Sequence, residues 1–355
     1  MKILHISNFG DKHNGRLYWN QCYKISNGLI RNGHNVYNFS ERDRSRSDLL
    51  NKFNNNKKLQ SSILETVKIY CPDIVLLGHA DRIHLETLEK IRSINPNIKI
   101  AEWNVDNYKL DNTEHKLKTR SRYLDGIFST TADIKLSECV SGNFITFFPN
   151  IVDSTIENLK IFNNSEHKND IFFALSHGVG TGKLRKKNTK KEINDPRVIF
   201  AKEIIAANID IKSNFFGFNN ISPVWAEEFN NEISSCYMGL CLQRKPQLKY
   251  CLSDRIAQYG GNGLMLFIEK DTQFNEFLND NKEAVFFDGI EDLLEKINHY
   301  KTNKDESLKI AKAGYNKLHT YCNEKVVTNY FLDCLLGENP SNLKTKYNWP
   351  IHLYK

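Results

Sequence analysis

Ser253-Asp254-Arg255-Ile256-Ala257-Gln258-Tyr259-Gly260-Gly261-Asn262-Gly263-Leu264 holds a short helix, its stop and the start of a strand in one run. Ser253 to Tyr259 reads as the helix. Gly260-Gly261 ends it, because glycine accepts the left-handed backbone that closes a helix. Leu264 to Ile268 reads as a buried strand. The same alternation extends both ways. Upstream lie a strand at Ile171 to Leu175, a helix at Arg197 to Ala207, a strand at Lys212 to Phe216, a helix at Ala226 to Ser234 and a strand at Tyr237 to Leu242. Downstream lie a strand at Ala284 to Phe287, a helix at Ile290 to Tyr300, and one or two helices from Glu306 to Leu336. Strands alternating with helices over short connections predict a parallel sheet covered by helices.

The first half repeats the pattern. Strands are expected at Ile3 to Ser7, Val36 to Phe39, Asp73 to Leu77, Ile98 to Trp103, Gly126 to Thr130 and Phe144 to Phe148. Helices are expected at Leu17 to Asn32, Leu49 to Tyr70 and His84 to Ile94. Right-handed crossovers make a doubly wound, Rossmann-like sheet the default. The reading is therefore α/β: two Rossmann-like parallel-sheet domains with an interdomain cleft. Residues 1–152 form the first domain, 153–337 the second, and 338–355 a tail that is either ordered against a neighbour or mobile.

Composition sets outer bounds. The chain has 355 residues, 40% hydrophobic and 26% charged, which suits two globular domains rather than one core or a disordered chain. No apolar run reaches the roughly 18 residues of a membrane span. The opening apolar stretch, ended by Asn8 and Asp11, is too short for a signal peptide. The eight cysteines are scattered without a C-x-x-C pair, so reduced buried thiols are expected rather than a metal site. These features place the protein in the cytoplasm. The net charge of +7 is concentrated in part in the 183–191 basic run, a solvated loop that can also meet an anionic membrane at its inner face. No nucleic-acid-reading motif accompanies it, and no nucleic acid is expected as partner.

The Ser253–Leu264 stretch resembles the donor-site helix and glycine turn of the GT-B glycosyltransferases, and is similar to the CgeB-like branch of the group 1 C-terminal domain. Family-like fragments follow in order: Phe277-Leu278, Lys282 to Phe287, Asp292 to Ile297, Ile310 to Gly314 and His319-Thr320-Tyr321. The likeness is good over about residues 250 to 335, looser from 171 to 250, and one of pattern only before that. It implies a GT-B fold, a nucleotide-sugar donor held by the second domain, a glycan or lipid-linked acceptor held by the first, no cofactor and no bound metal. The family often carries glutamate where this chain has Gln258, which hydrogen-bonds but bears no charge.

Within that frame the donor-binding candidates are His177, Lys183, Arg244, Lys249, Ser253, Asp254, Arg255, Gln258, Gly260, Gly261, Asn262 and Gly263. Arg255 starts a helix, where backbone N–H groups and a planar guanidinium suit phosphate; its alternative is an ordinary ion pair. The glycines let backbone approach a ligand, or simply stop a helix. Gly178 to Lys183 falls one residue short of a P-loop and lacks its Ser or Thr, which rejects an ATPase. In the first half, the loops after strands one, three and four hold His13, His79 and Asp106. These are the candidates for the base that deprotonates an acceptor hydroxyl, Asp106 first, each also readable as a loop cap. Tyr18, Trp19 and Tyr23 read as a packing face, with stacking on an acceptor sugar as the alternative. The expected function is metal-independent glycosyl transfer in cell-surface polysaccharide synthesis. The alternatives are a non-hydrolysing nucleotide-sugar epimerase and a non-enzymatic sugar-nucleotide or glycan-binding module.

Overall fold

The structure is a computed structural model that describes residues 1–47, 55–176, 192, 194–207, 210–350 and 353–354. The chain forms two compact units: Met1–Asp153 with Tyr321–Lys355, and Ser154–Thr320.

In the first unit, six strands run parallel: β1 (Lys2–Ser7), β2 (Asn35–Ser40), β3 (Ile74–Gly78), β4 (Lys99–Asn104), β5 (Gly126–Ser129) and β6 (Phe144–Phe147). The sheet order is β12-β6-β5-β4-β3-β1-β2, with β12 (Leu353–Tyr354) antiparallel on β6. β3 is Ile-Val-Leu-Leu-Gly and buried throughout, as a parallel strand covered on both faces must be. The helices are α1 (Gln21–Arg31), α2 (Glu41–Ser47), α3 (Lys57–Tyr70), α4 (Leu85–Ile94) and α5 (Thr113–Ser121). α3 buries Leu59, Ile63 and Val67, four residues apart, on one face. The helix expected from Leu17 begins only at Gln21. Before it, the Asp11–His13 turn is pinned by Asp43, whose carboxylate accepts the Asp11 N–H at 2.9 Å. α2 and α5 were not foreseen: both are short and charged, and α5 lacks an apolar stripe.

Residues 324–337 were expected in the second domain, but α10 (Glu324–Leu335) belongs to the first unit. Its start is capped by Asn323, whose side chain accepts from Lys325 N and Val326 N. Phe331 stacks on Phe128 of β5 with ring centroids 4.0 Å apart. Arg31 at the end of α1 pairs with Glu324 at 2.6 Å and Asp153 at 2.8 Å, and both carboxylates are buried. The tail continues this packing. α11 (Pro340–Lys346) leads to Tyr347 and Trp349, both buried, with their rings 4.9 and 5.2 Å from Tyr330.

The second unit has five parallel strands: β7 (Ile171–Ala174), β8 (Ser213–Phe216), β9 (Met238–Cys241), β10 (Met265–Glu269) and β11 (Val285–Phe287), in the order β11-β10-β9-β7-β8. Helices α6 (Pro196–Ala206), α7 (Ala226–Ile233), α8 (Gly289–Thr302) and α9 (Lys304–Tyr321) accompany them. One apolar cluster joins Phe173, Leu240, Phe267 and Val285 of the sheet to Val198, Leu293 and Ile310 of the helices. The two sheets share a feature that positions the site. Strand order reverses between β1 and β3 in the first unit and between β7 and β9 in the second. In open α/β sheets, ligands bind beyond the carboxyl ends of the strands at such reversals.

Candidate functional site

Arg255 lies at the reversal of the second sheet. Its Nε and Nη2 donate to Ala174 O, at the end of β7, at 3.0 and 2.9 Å. Its Nη1 donates to Ser253 Oγ at 2.9 Å and reaches Leu242 O, just past β9, at 3.4 Å. The guanidinium also sits 5.2 Å from the Phe173 ring centre. Burial draws its pKa down. Arg255 is thus a clamp across the carboxyl ends of two neighbouring strands. A guanidinium carries five N–H donors, and besides these four bonds Arg255 interacts with the buried Tyr259 hydroxyl.

The chain around it is held firmly. Gln243 Oε1 accepts Ser253 N–H at 2.7 Å, and Glu269 accepts Gln243 N–H at 2.8 Å. The expected helix at 253–259 is a π-helical turn, Ile256–Gly260, a wide form frequent at functional sites. Gln258 is partly exposed, and its side-chain amide makes no hydrogen bond among the described residues. Asp254 is partly exposed beside it.

The glycine turn faces protein. Gly260, Gly261, Asn262 and Gly263 are all buried. A Cβ on Gly260 would lie 2.6 Å from Leu318, and one on Gly263, whose φ is +93°, would lie 2.7 Å from Phe162. Gly261 O accepts from His319 Nε2 at 2.9 Å. Asn262 donates to Gln258 O at 2.8 Å, while its carbonyl groups accept Leu159 N–H and Ile161 N–H at 3.3 and 2.9 Å. These four residues fasten the 159–162 segment and α9. Lys249 is taken by Glu276, at 2.8 Å. Arg244 is exposed on the loop after β9. His177, Lys183 and the 183–191 run lie outside the described residues.

In the first unit the structure brings two of the three base candidates together. His79 follows β3 directly, at the strand-order reversal, and Asp106 follows β4. His79 Nδ1 is 3.6 Å from Asp106 Oδ2, with side chains 35% and 52% exposed. His79 has φ +47°, a left-handed backbone that non-glycine residues rarely adopt. His13 joins neither. It accepts weakly from Arg16 at 3.5 Å, and burial together with Arg16, Lys12 and Arg46 lowers its pKa. Tyr18 is 42% exposed, with Trp19 and Tyr23 rings 5.6 and 5.2 Å away.

Two groups escaped the sequence reading. His5 on β1 is wholly buried, and desolvation lowers its pKa to about 3. Glu41 at the start of α2 is also wholly buried, with its pKa raised to about 7, by burial first. Neither Glu41 oxygen has a hydrogen bond among the described residues; Arg42 Nε lies 3.3 Å away, out of alignment. The only available signal for His5 was a lone polar residue within an apolar strand. Among the described residues, no group of three or more His, Cys, Asp or Glu could hold a metal ion, and no helix is long and apolar enough to cross a membrane.

Comparison with known proteins bears on this geometry. Residues 199–331 match the family described as glycosyl transferase-like. No curated protein matches the chain. Among solved structures, the fold is similar to an α-glucosyltransferase in complex with UDP and a DNA 13-mer, at TM-score 0.61 and 15% identity, covering 95% of this chain and 99% of the other. HepE of Anabaena in complex with UDP is similar at TM-score 0.56 and 10% identity, covering 95% and 100%. Sucrose-phosphate synthase from Thermosynechococcus elongatus is similar at TM-score 0.57 and 10% identity, covering 94% and 98%. Residues 199–331 are therefore similar to the glycosyl transferase-like family, and the chain as a whole has the two-sheet GT-B fold of these structures.

Proposed function

We propose that the protein transfers a sugar from a nucleotide-activated donor to a hydroxyl of a glycan or lipid-linked acceptor, in cell-surface polysaccharide synthesis. The observation that carries this is the placement of Arg255 and of the His79–Asp106 pair, each at the strand-order reversal of its own sheet. UDP or UDP-glucose bound to structural neighbours supports the donor class. In this reading His79 Nε2 takes the acceptor proton, and Asp106 beside Nδ1 steadies the imidazolium. The acceptor oxygen then forms the new bond to the anomeric carbon as the sugar–phosphate bond breaks. The departing phosphate meets the positive charge of Arg255 and of the exposed Arg244, with no metal taking part. Ser253, Asp254 and Gln258 line the donor side; Gln258 stands where a glutamate would hold ribose or sugar hydroxyls. The 183–191 run would rest on an anionic membrane that presents the acceptor.

The test is a panel of UDP-, GDP-, ADP- and dTDP-sugars. A bound donor raises the melting temperature, and nucleoside diphosphate is released only when acceptor is added. Conversion of the nucleotide sugar without acceptor would indicate an epimerase. Binding without turnover across the acceptor panel would indicate a binding module.

A further inference from the structure

We propose that Trp103 and His5 are positioning residues that hold His79 in its reacting orientation. The proposal rests on the reading of His79 as the base.

Three observations converge on His79. Its ring meets the Trp103 ring edge-to-face, with centroids 5.4 Å apart and planes at 87°. Its backbone is left-handed, and strain of this kind persists only where the surroundings enforce it. The residue before it is Gly78, across which the indole lies: a Cβ there would be 1.9 Å from Trp103 Cε2 and 2.3 Å from its Nε1. The end of β3 must be glycine for Trp103 to occupy that seat.

The indole is itself fixed from beneath. Trp103 Nε1–H donates to His5 Nε2 at 3.0 Å. An imidazole that accepts at Nε2 carries its proton on Nδ1 when neutral, and Nδ1 lies 2.8 Å from Ser26 Oγ. Ser26 Oγ lies 2.8 Å from Asn38 Oδ1 and 3.1 Å from Cys22 O. A polar chain thus runs from α1 and β2 through β1 to the indole on β4 and ends against His79. His5 and Trp103 are both buried, at 0% and 2% exposure, so they act through His79 and not on substrate. The chain serves orientation, since imidazole–indole bonding of this kind supplies no group that a substrate can reach.

A double-mutant cycle distinguishes positioning from core packing. Turnover is measured with the nucleotide sugar and acceptor that give product in the panel above, for Trp103→Phe, His79→Ala and the double variant. Trp103→Phe keeps an aromatic ring and loses the N–H. The expected result is a kcat lower by about 10- to 100-fold with KM for both substrates nearly unchanged, because small misplacement of a reacting group acts on kcat. In the His79→Ala background the same change has no further effect. Should Trp103→Phe fail to fold, Ser26→Ala releases the other end of the chain and is expected to give a smaller loss of the same pattern. Additive effects in the double variant, or a change in KM alone, overturn the positioning proposal while leaving His79 as base. Unimpaired turnover in His79→Ala, or no turnover of any nucleotide sugar, overturns the reading beneath it.

Discussion

Arg255→Ala should destabilise the second unit even with no ligand present. The side chain makes four hydrogen bonds, two of them to Ala174 O, and lies over Phe173. Truncation leaves the Ala174 carbonyl without its charged donors, and a part-buried acceptor so stranded costs about 1–3 kcal/mol. Loss of the Leu242 contact and of the cation–ring contact adds about 1–2 kcal/mol. The expected destabilisation is on the order of 2–5 kcal/mol, and for a unit of this size each kcal/mol moves the melting temperature by roughly 2–4 °C. Differential scanning calorimetry of the ligand-free protein should therefore show the transition lowered by roughly 5–15 °C. Arg255→Lys should lie between the two, because one ammonium cannot bridge both strand ends. A ligand-free Arg255→Ala protein that melts within 2 °C of the wild type would mean that the clamp is not made in solution. The guanidinium would then serve the donor alone. The consequence for assays is practical: loss of turnover in Arg255→Ala does not by itself locate the donor, and the lysine variant is the cleaner probe.

Three further outcomes are expected. His79→Ala should lower kcat by about 10²–10⁴-fold, the usual contribution of a general base. Asp106→Asn should lower it by only about five- to tenfold, since a half-exposed pair is worth about 1 kcal/mol; initial rates of nucleoside diphosphate release decide, and a twofold effect in His79→Ala would refute the assignment. Arg31→Ala strips two buried carboxylates, Asp153 and Glu324, of their guanidinium and should cost about 3 kcal/mol in urea unfolding; a loss below about 1 kcal/mol would show that α10 is held by apolar contacts alone. Glu41→Gln should be stabilising in alkali. Between the ordinary value of 4.5 and the folded value of about 7 the folded state binds more proton than the unfolded, so wild-type stability falls as pH rises through that window. The variant should gain about 1–3 kcal/mol at pH 8 and lose that advantage well below pH 4.5; equal stability at pH 8 would show the carboxylate to be solvated.

Much of the fold was legible because its signals are local. β1, β3, β4, β9 and β10 appear within about a residue or two of their apolar runs, α6 starts at its Asp195 cap, and α4 ends just before Pro96. The loops after strands are equally local, which is why His79 and Asp106 could be singled out before their pairing was known. α2 and α5 had no stripe to read. The glycine turn from Gly260 to Gly263 was read by residue type, and type alone does not say whether the open side meets ligand or protein. Here it meets Leu318 and Phe162.

The amino-acid sequence by itself determined the α/β alternation, the two-sheet division and the loops that follow the strands. Periodicity and turn chemistry act over a few residues, so each segment declares its own state. Only the tertiary structure decided what those ends touch. The two carbonyl partners of Arg255 lie 13 and 81 residues away in sequence, and Arg31 meets Glu324 across 293. No local pattern records such pairings, because they follow from strand order and from which buried charges find a counter-charge. Those two conditions made Arg255 a clamp across two strand ends and put the helix from Glu324 to Leu335 in the first unit.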